Sequence, residues 1–190
     1  MKLIVGKKIG LSRLFNNEGN EVAVTLVSVL ATKILGITNE EKHGYNAVIV
    51  GEISEKKDKK NKTFKTEFIT LKTDDYKVGA ELNIDQFAEN DKIQVEGIAK
   101  GKGFSGAIKR HGFSRGPKTH GSDHHRAVGS IGGGYPERVV KGRKMPGRLG
   151  GRHVTIKNLK VSNIDKDNNI LAIAGAIPGS KKSIVKIFSL

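Results

Sequence analysis

The sequence IQVEGIAKGKGFSG at residues 93–106 decides the fold, because two kinds of sequence meet within it. In its first half, Ile93 and Val95 alternate with polar residues, the period of two that is typical of a half-buried strand. From Lys100 onward this alternation stops and glycine alternates with lysine. We therefore expect a strand to end near residue 98 and a different kind of structure to follow.

The segment that follows, residues 100–153, is strongly basic. It contains 13 Lys and Arg but only two acids, a net charge of +11 out of +15 for the whole chain. It also holds 14 of the 24 glycines, and its few apolar residues cannot bury enough surface to offset the entropy of ordering the backbone. Such a segment is expected to gain its shape against a negatively charged partner, and the charge favours a nucleic acid.

Short runs rich in Val, Ile, Thr and Phe lie on both sides of the basic segment, separated by turn residues. Their spacing predicts a mostly antiparallel β sandwich or closed barrel into which the basic segment is inserted. We expect residues 1–99 and 154–190 to form this β domain and residues 100–153 to form the insertion. The predicted strands are 22–31, 47–53, 64–71, 93–98, 154–161, 170–174 and 184–188.

Several classes of protein are not expected. No apolar stretch approaches the roughly 20 residues of a membrane-spanning helix. Lys7, Lys8 and Arg13 interrupt the opening run, which is unlike a secretory signal. The sequence has no cysteine, which excludes disulfides, thiol catalysis and cysteine metal sites and is compatible with a reducing cytoplasm.

Two glycine motifs invite an enzyme interpretation. Residues 101–106 match G-x-G-x-x-G, but a dinucleotide site needs a βαβ unit and a later acidic residue. We favour a turn that approaches phosphates, followed by a short helix over 105–111 presenting Lys109 and Arg110. Residues 112–116 match the nucleophile elbow G-x-S-x-G without its strand and helix, and the consecutive Ser122, Asp123 and His124 do not form a triad. A nucleotide-dependent or hydrolytic enzyme and a free nucleic-acid chaperone stay as alternatives.

The remaining polar and aromatic residues leave some alternatives open. Contacts with phosphates and bases are expected, rather than a metal site, for His120, His124 and His125. The two acids of the segment, Asp123 and Glu137, are expected to orient Arg side chains or to bind a hydrated Mg²⁺. The lysine run over 56–62 is a solvated hairpin tip or a peripheral phosphate contact. Aromatic rings within the basic segment either stack on bases or anchor the segment itself. These rings are Phe104, Phe113 and Tyr135.

Several motifs, in order along the whole chain, resemble the bacterial large-subunit ribosomal protein L3 family. They include GKKIGLSRLF at 6–15, KGKGFSG at 100–106, THGS at 119–122, KMPGRLG at 144–150 and GAIPG at 175–179. The resemblance implies a translation-protein-type β-barrel with a long basic, Gly-rich extension inserted. It also implies a structural, non-catalytic protein of the large subunit in the cytoplasmic ribosome.

The resemblance further implies direct binding of large-subunit rRNA, a role in early subunit assembly, and neighbours such as the large-subunit proteins numbered fourteen and nineteen. No membrane partner, small-molecule substrate or cofactor is expected, apart from structural Mg²⁺ shared with rRNA. Many bacterial members carry a methylated Gln where this chain has Arg148, so that modification should be absent.

The residues predicted to bind rRNA are the basic and histidine side chains of the segment. They are Lys100, Lys102, Lys109, Arg110, His111, Arg115, Lys118, His120, His124, His125, Arg126, Arg138, Lys141, Arg143, Lys144, Arg148, Arg152 and His153. The resemblance implies that the tip of the extension lies near the peptidyl transferase centre. The tip consists of Met145, Pro146, Gly147, Arg148, Leu149 and Gly150.

Overall fold

A computed structural model of the chain describes residues 2–15, 19–52, 64–70, 73 and 76–189. The chain divides into two compact units, residues 1–99 with 153–190, and residues 100–152. The lysine run over 56–62, interpreted above as a hairpin tip or a phosphate contact, lies outside the described residues.

Strands make up most of the regular structure, which confirms the prediction of a mostly β protein. Two short helices, α1 (Glu40–His43) and α2 (Ala107–His111), and a 3-10 turn at Ile84–Gln86 accompany them in the described residues. The strands are β1 (Leu3–Phe15), β2 (Glu21–Val29), β3 (Thr32–Thr38), β4 (Ala47–Glu52), β5 (Lys65–Ile69), β6 (Glu81–Leu82), β7 (Lys92–Ile98), β8 (Phe104–Ser105), β9 (Gly147–Arg148), β10 (His153–Asp165), β11 (Ile170–Ala174) and β12 (Ile184–Ser189).

Six strands of the first unit close into a barrel in the order β1-β12-β7-β10-β11-β2, and every neighbouring pair is antiparallel. Of the two architectures that the strand spacing left open, the closed barrel is therefore the one observed. Four further strands form a separate antiparallel sheet in the order β5-β4-β3-β6. Closure leaves the six barrel strands without a free edge.

Strand β1 supplies side chains to both hydrophobic cores of this unit. Ile4 belongs to the cluster inside the barrel, together with residues such as Val95 and Leu171. Its neighbours Leu3 and Val5 belong to a second cluster with residues of the four-stranded sheet, including Val48 and Phe68. Successive side chains of a strand point to opposite faces, so a strand buried on both faces joins the barrel to the second sheet.

A buried lysine holds one loop of the barrel. The ammonium group of Lys8 donates hydrogen bonds to the carbonyl oxygens of Ile177 at 2.7 Å and Gly179 at 3.2 Å. The backbone on either side is also paired, because the Lys8 amide donates to Ser183 and the Lys182 amide donates to Lys8. The loop that follows β11 is thus fixed to β1 at several points.

Neighbouring barrel strands border the basic unit in the sequence. Ile98, the last residue of β7, is the register partner of His153, the first residue of β10. His153 was assigned to the basic segment from the sequence, but it belongs to the barrel strand, where its imidazole Nδ1 lies 3.2 Å from Glu96. None of the helices in the described ranges is long and apolar enough to cross a membrane.

Candidate nucleic-acid interface

The two ends of the basic unit meet in a short antiparallel ribbon. Phe104 of β8 pairs with Arg148 of β9, and Ser105 pairs with Gly147. Beyond the strands, the Lys102 amide donates to Leu149 at 2.8 Å and the Leu149 amide donates to Gly103 at 2.9 Å. The predicted tip residues 147–149 are therefore held against the glycine-rich turn that opens the unit.

The ribbon has one face directed inward and one directed outward. On the inner face Ser105 is buried, and a β-carbon added to Gly147 would lie 2.5 Å from the Arg110 guanidinium. On the outer face Phe104 is 80% exposed, and its partner Arg148 is exposed as well. The alternation of strand side chains thus presents one aromatic ring and one cation on the same open face.

Helix α2 positions the segment that leads into the ribbon. The helix ends at Gly112, whose left-handed backbone closes it with a hydrogen bond from the Gly112 amide to Ile108, as is common at helix C-termini. From its last turn, Arg110 donates to the carbonyl oxygen of Met145 at 2.7 Å, and the His111 Nε2 atom lies 3.0 Å from the same oxygen. Two residues predicted to bind rRNA therefore also hold the protein's own backbone.

Gly150 lies against the backbone at the start of the unit. Its φ of +76° lies in the left-handed region, and an added β-carbon would lie 2.0 Å from the carbonyl oxygen of Lys100. Only glycine fits both the backbone angle and the approach. The glycines of the KMPGRLG motif thus serve backbone packing, Gly147 against Arg110 and Gly150 against Lys100.

A second loop collects cations at residues 115–126. The Gly116 amide donates to the carbonyl oxygen of His125 at 3.1 Å, and His125 Nδ1 lies 2.6 Å from the carbonyl oxygen of Pro117. Because a carbonyl oxygen only accepts, Nδ1 carries the proton. Around this closed loop lies a cavity of about 320 Å³, lined by Arg115, Gly116, Lys118, His125 and Arg126. Its positive lining suits a phosphate group.

The predicted rRNA-binding residues lie almost entirely at the surface. Only Arg110 and His111 among them are half-buried, and the others are exposed. Arg143 donates to the backbone of Ser130 at 2.9 Å. Within the described part of the basic unit no Lys or Arg forms an ion pair, and Asp123 and Glu137 form none either. The two acids were expected to orient Arg side chains or to bind a hydrated Mg²⁺. No ion pair with an Arg is seen in this part of the chain, and binding of Mg²⁺ stays a prediction.

The aromatic rings of the unit divide into two groups. Phe113 is half-buried and its ring centroid lies 6.0 Å from that of His111, so this ring anchors the unit. Phe104 and Tyr135 are 80% and 91% exposed and do not anchor it. The sequence alone left both roles open for all three rings. It also gave no reason to pair Phe104 with Arg148, since 43 intervening residues separate them in the chain.

The structural contexts of the enzyme motifs are absent from the described residues. The G-x-G-x-x-G match contains a two-residue strand followed by a helix of five residues, which is no βαβ unit. Ser114 lies in irregular backbone rather than at a strand-to-helix elbow. No group of three His, Asp or Glu side chains is placed to hold a metal ion in this part of the chain.

Comparison with known proteins gives a consistent result. The family model described as "Ribosomal protein L3" matches residues 65–169. A large ribosomal subunit protein uL3 of a Geobacillus species is 43% identical over 202 residues, which cover 99% of this chain and 96% of that protein. The uL3 protein of Staphylococcus epidermidis is 42% identical over 209 residues, covering 98% and 95%, and that of Listeria welshimeri is 40% identical over 200 residues, covering 98% and 96%.

Proposed function

The chain belongs to the ribosomal protein L3 family, and from this premise we propose that its basic segment, residues 100–153, binds large-subunit rRNA directly. Family membership makes the chain a structural component of the large subunit in the cytoplasmic ribosome and not an enzyme. Its partners are rRNA and other ribosomal proteins. The proposal concerns how this chain makes those contacts.

One observation carries the proposal: the basic unit displays its charge without neutralising it. Only Ser105 and Ala107 are buried among residues 100–152, and the cations of this unit form no ion pair within the described residues. Concentrated unpaired cations repel one another, and each gains free energy by releasing the counterions of an RNA phosphate. A folded RNA supplies both the negative charge and the packing surface that the unit lacks.

The finer parts of the proposal concern the tip, Met145 to Gly150. We place it near the peptidyl transferase centre, with the whole segment acting as an extension that supports early subunit assembly. The hydrogen bonds from Arg110 and Leu149 support this role, because they hold the tip residues in one arrangement against the start of the unit. We also propose that the large-subunit proteins numbered fourteen and nineteen are neighbours of this chain in the ribosome. We propose structural Mg²⁺ only as an ion that the chain shares with rRNA phosphates.

The salt dependence of RNA binding tests the central part of the proposal. Arg115→Gln and Lys118→Gln should each make the negative slope of log K against log salt shallower by about 1 on a large-subunit rRNA transcript. Lys77→Gln is the matched control, because Lys77 is an exposed lysine of the other unit. Equal slopes for all three variants and the unchanged protein would contradict the assignment of binding to the basic segment.

Recovery with ribosomes separates this function from that of a free nucleic-acid chaperone. The protein should remain bound to large subunits in near-stoichiometric amount after a moderate salt wash. A chaperone would appear mainly in the ribosome-free fraction.

A separate experiment tests the role of the tip. Arg148→Gln should change the sensitivity of cells to antibiotics of the peptidyl transferase centre, and unchanged sensitivity would contradict the role assigned to the tip.

A further inference from the structure

We propose that Phe104 and Arg148 together form a binding site for one unpaired nucleotide, with the base stacked on the Phe104 ring and its phosphate held by the Arg148 guanidinium. The inference deepens the proposed function and rests on it, because it requires that the basic unit binds RNA. It adds the chemical class that this site recognises, an unstacked nucleotide rather than a duplex.

The register of the ribbon places the two side chains together. Phe104 and Arg148 are direct partners in the antiparallel pair, and side chains of directly opposed residues share a face at about 5 Å between their β-carbons. The opposite face is closed by Ser105, Gly147 and the Arg110 guanidinium. Phe104 and Arg148 therefore face away from the packed side of the ribbon.

The exposure of Phe104 needs a partner. Phe104 is 80% exposed, whereas the adjacent Ser105 is only 4% exposed, so the alternation of side chains along the strand turns Phe104 outward. An exposed Phe loses the free energy of burial, and in a basic, nearly coreless unit the available apolar surface is the face of a nucleic-acid base. Base stacking on Phe recovers that burial.

The Arg148 guanidinium is free to bind an anion. It lies along the backbone of Gly151, where an added β-carbon would be 3.4 Å from Nη2. Within the described ranges Arg148 forms no ion pair. A guanidinium binds a phosphate through two parallel hydrogen bonds. An aromatic ring and a guanidinium on the same face of the ribbon match the base and the phosphate of a single nucleotide.

An unpaired nucleotide fits this pair better than a duplex. In an A-form helix the bases are stacked on one another and their faces are inaccessible, so an aromatic side chain reaches only a base that is splayed out of a loop or bulge. Cations alone would bind duplex and single strand through the same phosphates. The ring is what creates the preference for the single strand.

The test compares two fluorescent RNA probes, a 12-nucleotide oligoadenylate and a 12-base-pair RNA duplex, binding to the full-length protein. Phe104→Leu should weaken binding of oligoadenylate by about tenfold, leave duplex binding within twofold, and leave the salt slope unchanged. Phe104→Tyr should restore the affinity. Arg148→Gln should weaken binding of both probes and make the negative slope of log K against log salt shallower by about 1. Phe15→Leu is the control, because Phe15 is 72% exposed in the other unit.

Each outcome decides a separate point. The nucleotide site is contradicted if Phe104→Leu and Phe15→Leu bind oligoadenylate equally. It is also contradicted if Phe104→Leu weakens binding of both probes to the same extent. In either case the proposal that the basic unit binds RNA still stands. If the unchanged protein binds neither probe nor the rRNA transcript, the proposed function itself fails. Amide exchange at Lys102 and Leu149, whose amides close the ribbon, shows whether a variant has kept its fold.

Discussion

The guanidinium group of Arg110 donates a hydrogen bond to the carbonyl oxygen of Met145 across 2.7 Å, joining the only helix of the basic unit's described residues to its KMPGRLG motif. An arginine in such a unit would ordinarily be assigned to a phosphate. Here one of its five donors holds the protein backbone, and the flat guanidinium covers Gly147. The shape of the tip therefore depends on a residue 35 positions away.

Replacing Arg110 by Lys should loosen the tip while keeping the charge. The ammonium group cannot reproduce both the planar contact with Gly147 and the bond to Met145. We expect the amides of Lys102 and Leu149 to exchange about tenfold faster in hydrogen-exchange measurements. Lys109→Arg, at the exposed neighbouring position, should leave both rates unchanged. Equal rates in the two variants would show that Arg110 does not hold the tip.

Replacing Gly150 by Ala should separate the two ends of the basic unit. The added β-carbon would lie 2.0 Å from Lys100 O, and the φ of +76° is unfavourable for alanine. Gly101→Ala is the matched control, because a β-carbon there meets no atom of the described residues within 4 Å. Cross-strand contacts between Lys102 and Leu149, measured by NMR, should disappear only in Gly150→Ala. Retained contacts in that variant would contradict the close approach.

Adjacent lysines of β1 should respond differently to the same substitution. Lys8→Met removes buried charge-assisted hydrogen bonds to Ile177 and Gly179 and should lower the free energy of unfolding by about 2 kcal/mol. Lys7→Met alters an exposed side chain and should change it by less than about 0.5 kcal/mol. Urea unfolding of both variants measures the difference. Equal stabilities would mean that the loop after β11 does not depend on Lys8.

Two buried threonines provide a test of hydrogen-bond satisfaction. Thr25 donates to the carbonyl oxygen of Gly175 at 2.7 Å, whereas the buried hydroxyl of Thr32 has no hydrogen-bond partner among the residues that the structure describes. Thr25→Val should therefore cost about 1–3 kcal/mol, because a carbonyl loses its donor. Thr32→Val should be neutral or stabilising by about 1 kcal/mol, because it removes an unsatisfied polar atom. Thermal unfolding that ranks the two variants in the opposite order would contradict the structure.

Strands with clear apolar patterns were predictable from the sequence, and others were not. The runs at 170–174 and 184–188 match β11 and β12 almost to the residue. Strand β1 was missed because Gly6, Lys7 and Lys8 interrupt its apolar run. The structure buries Lys8 against backbone carbonyls and uses both faces of residues 3–5 for two cores. Such burial depends on partners distant in the sequence, which a local pattern does not contain.

The composition of the interface was predictable, but its geometry was not. Charge and glycine content marked the basic segment, and the short helix ending at Gly112 was expected and is observed. The pairing of Phe104 with Arg148, and the use of Arg110 and His111 to hold Met145, join residues more than 30 positions apart. Nothing in the local sequence at either end specifies such a partner. The assignment of each cation to rRNA stays a prediction.

Cross-linking of the intact protein to rRNA in large subunits, with each cross-link mapped to a nucleotide, tests whether the basic segment binds rRNA. We expect cross-links from residues 100–153 to concentrate in one region of large-subunit rRNA, with those from Met145 to Gly150 near the peptidyl transferase centre. Cross-links scattered over many RNAs, or arising mainly from residues outside this segment, would contradict it.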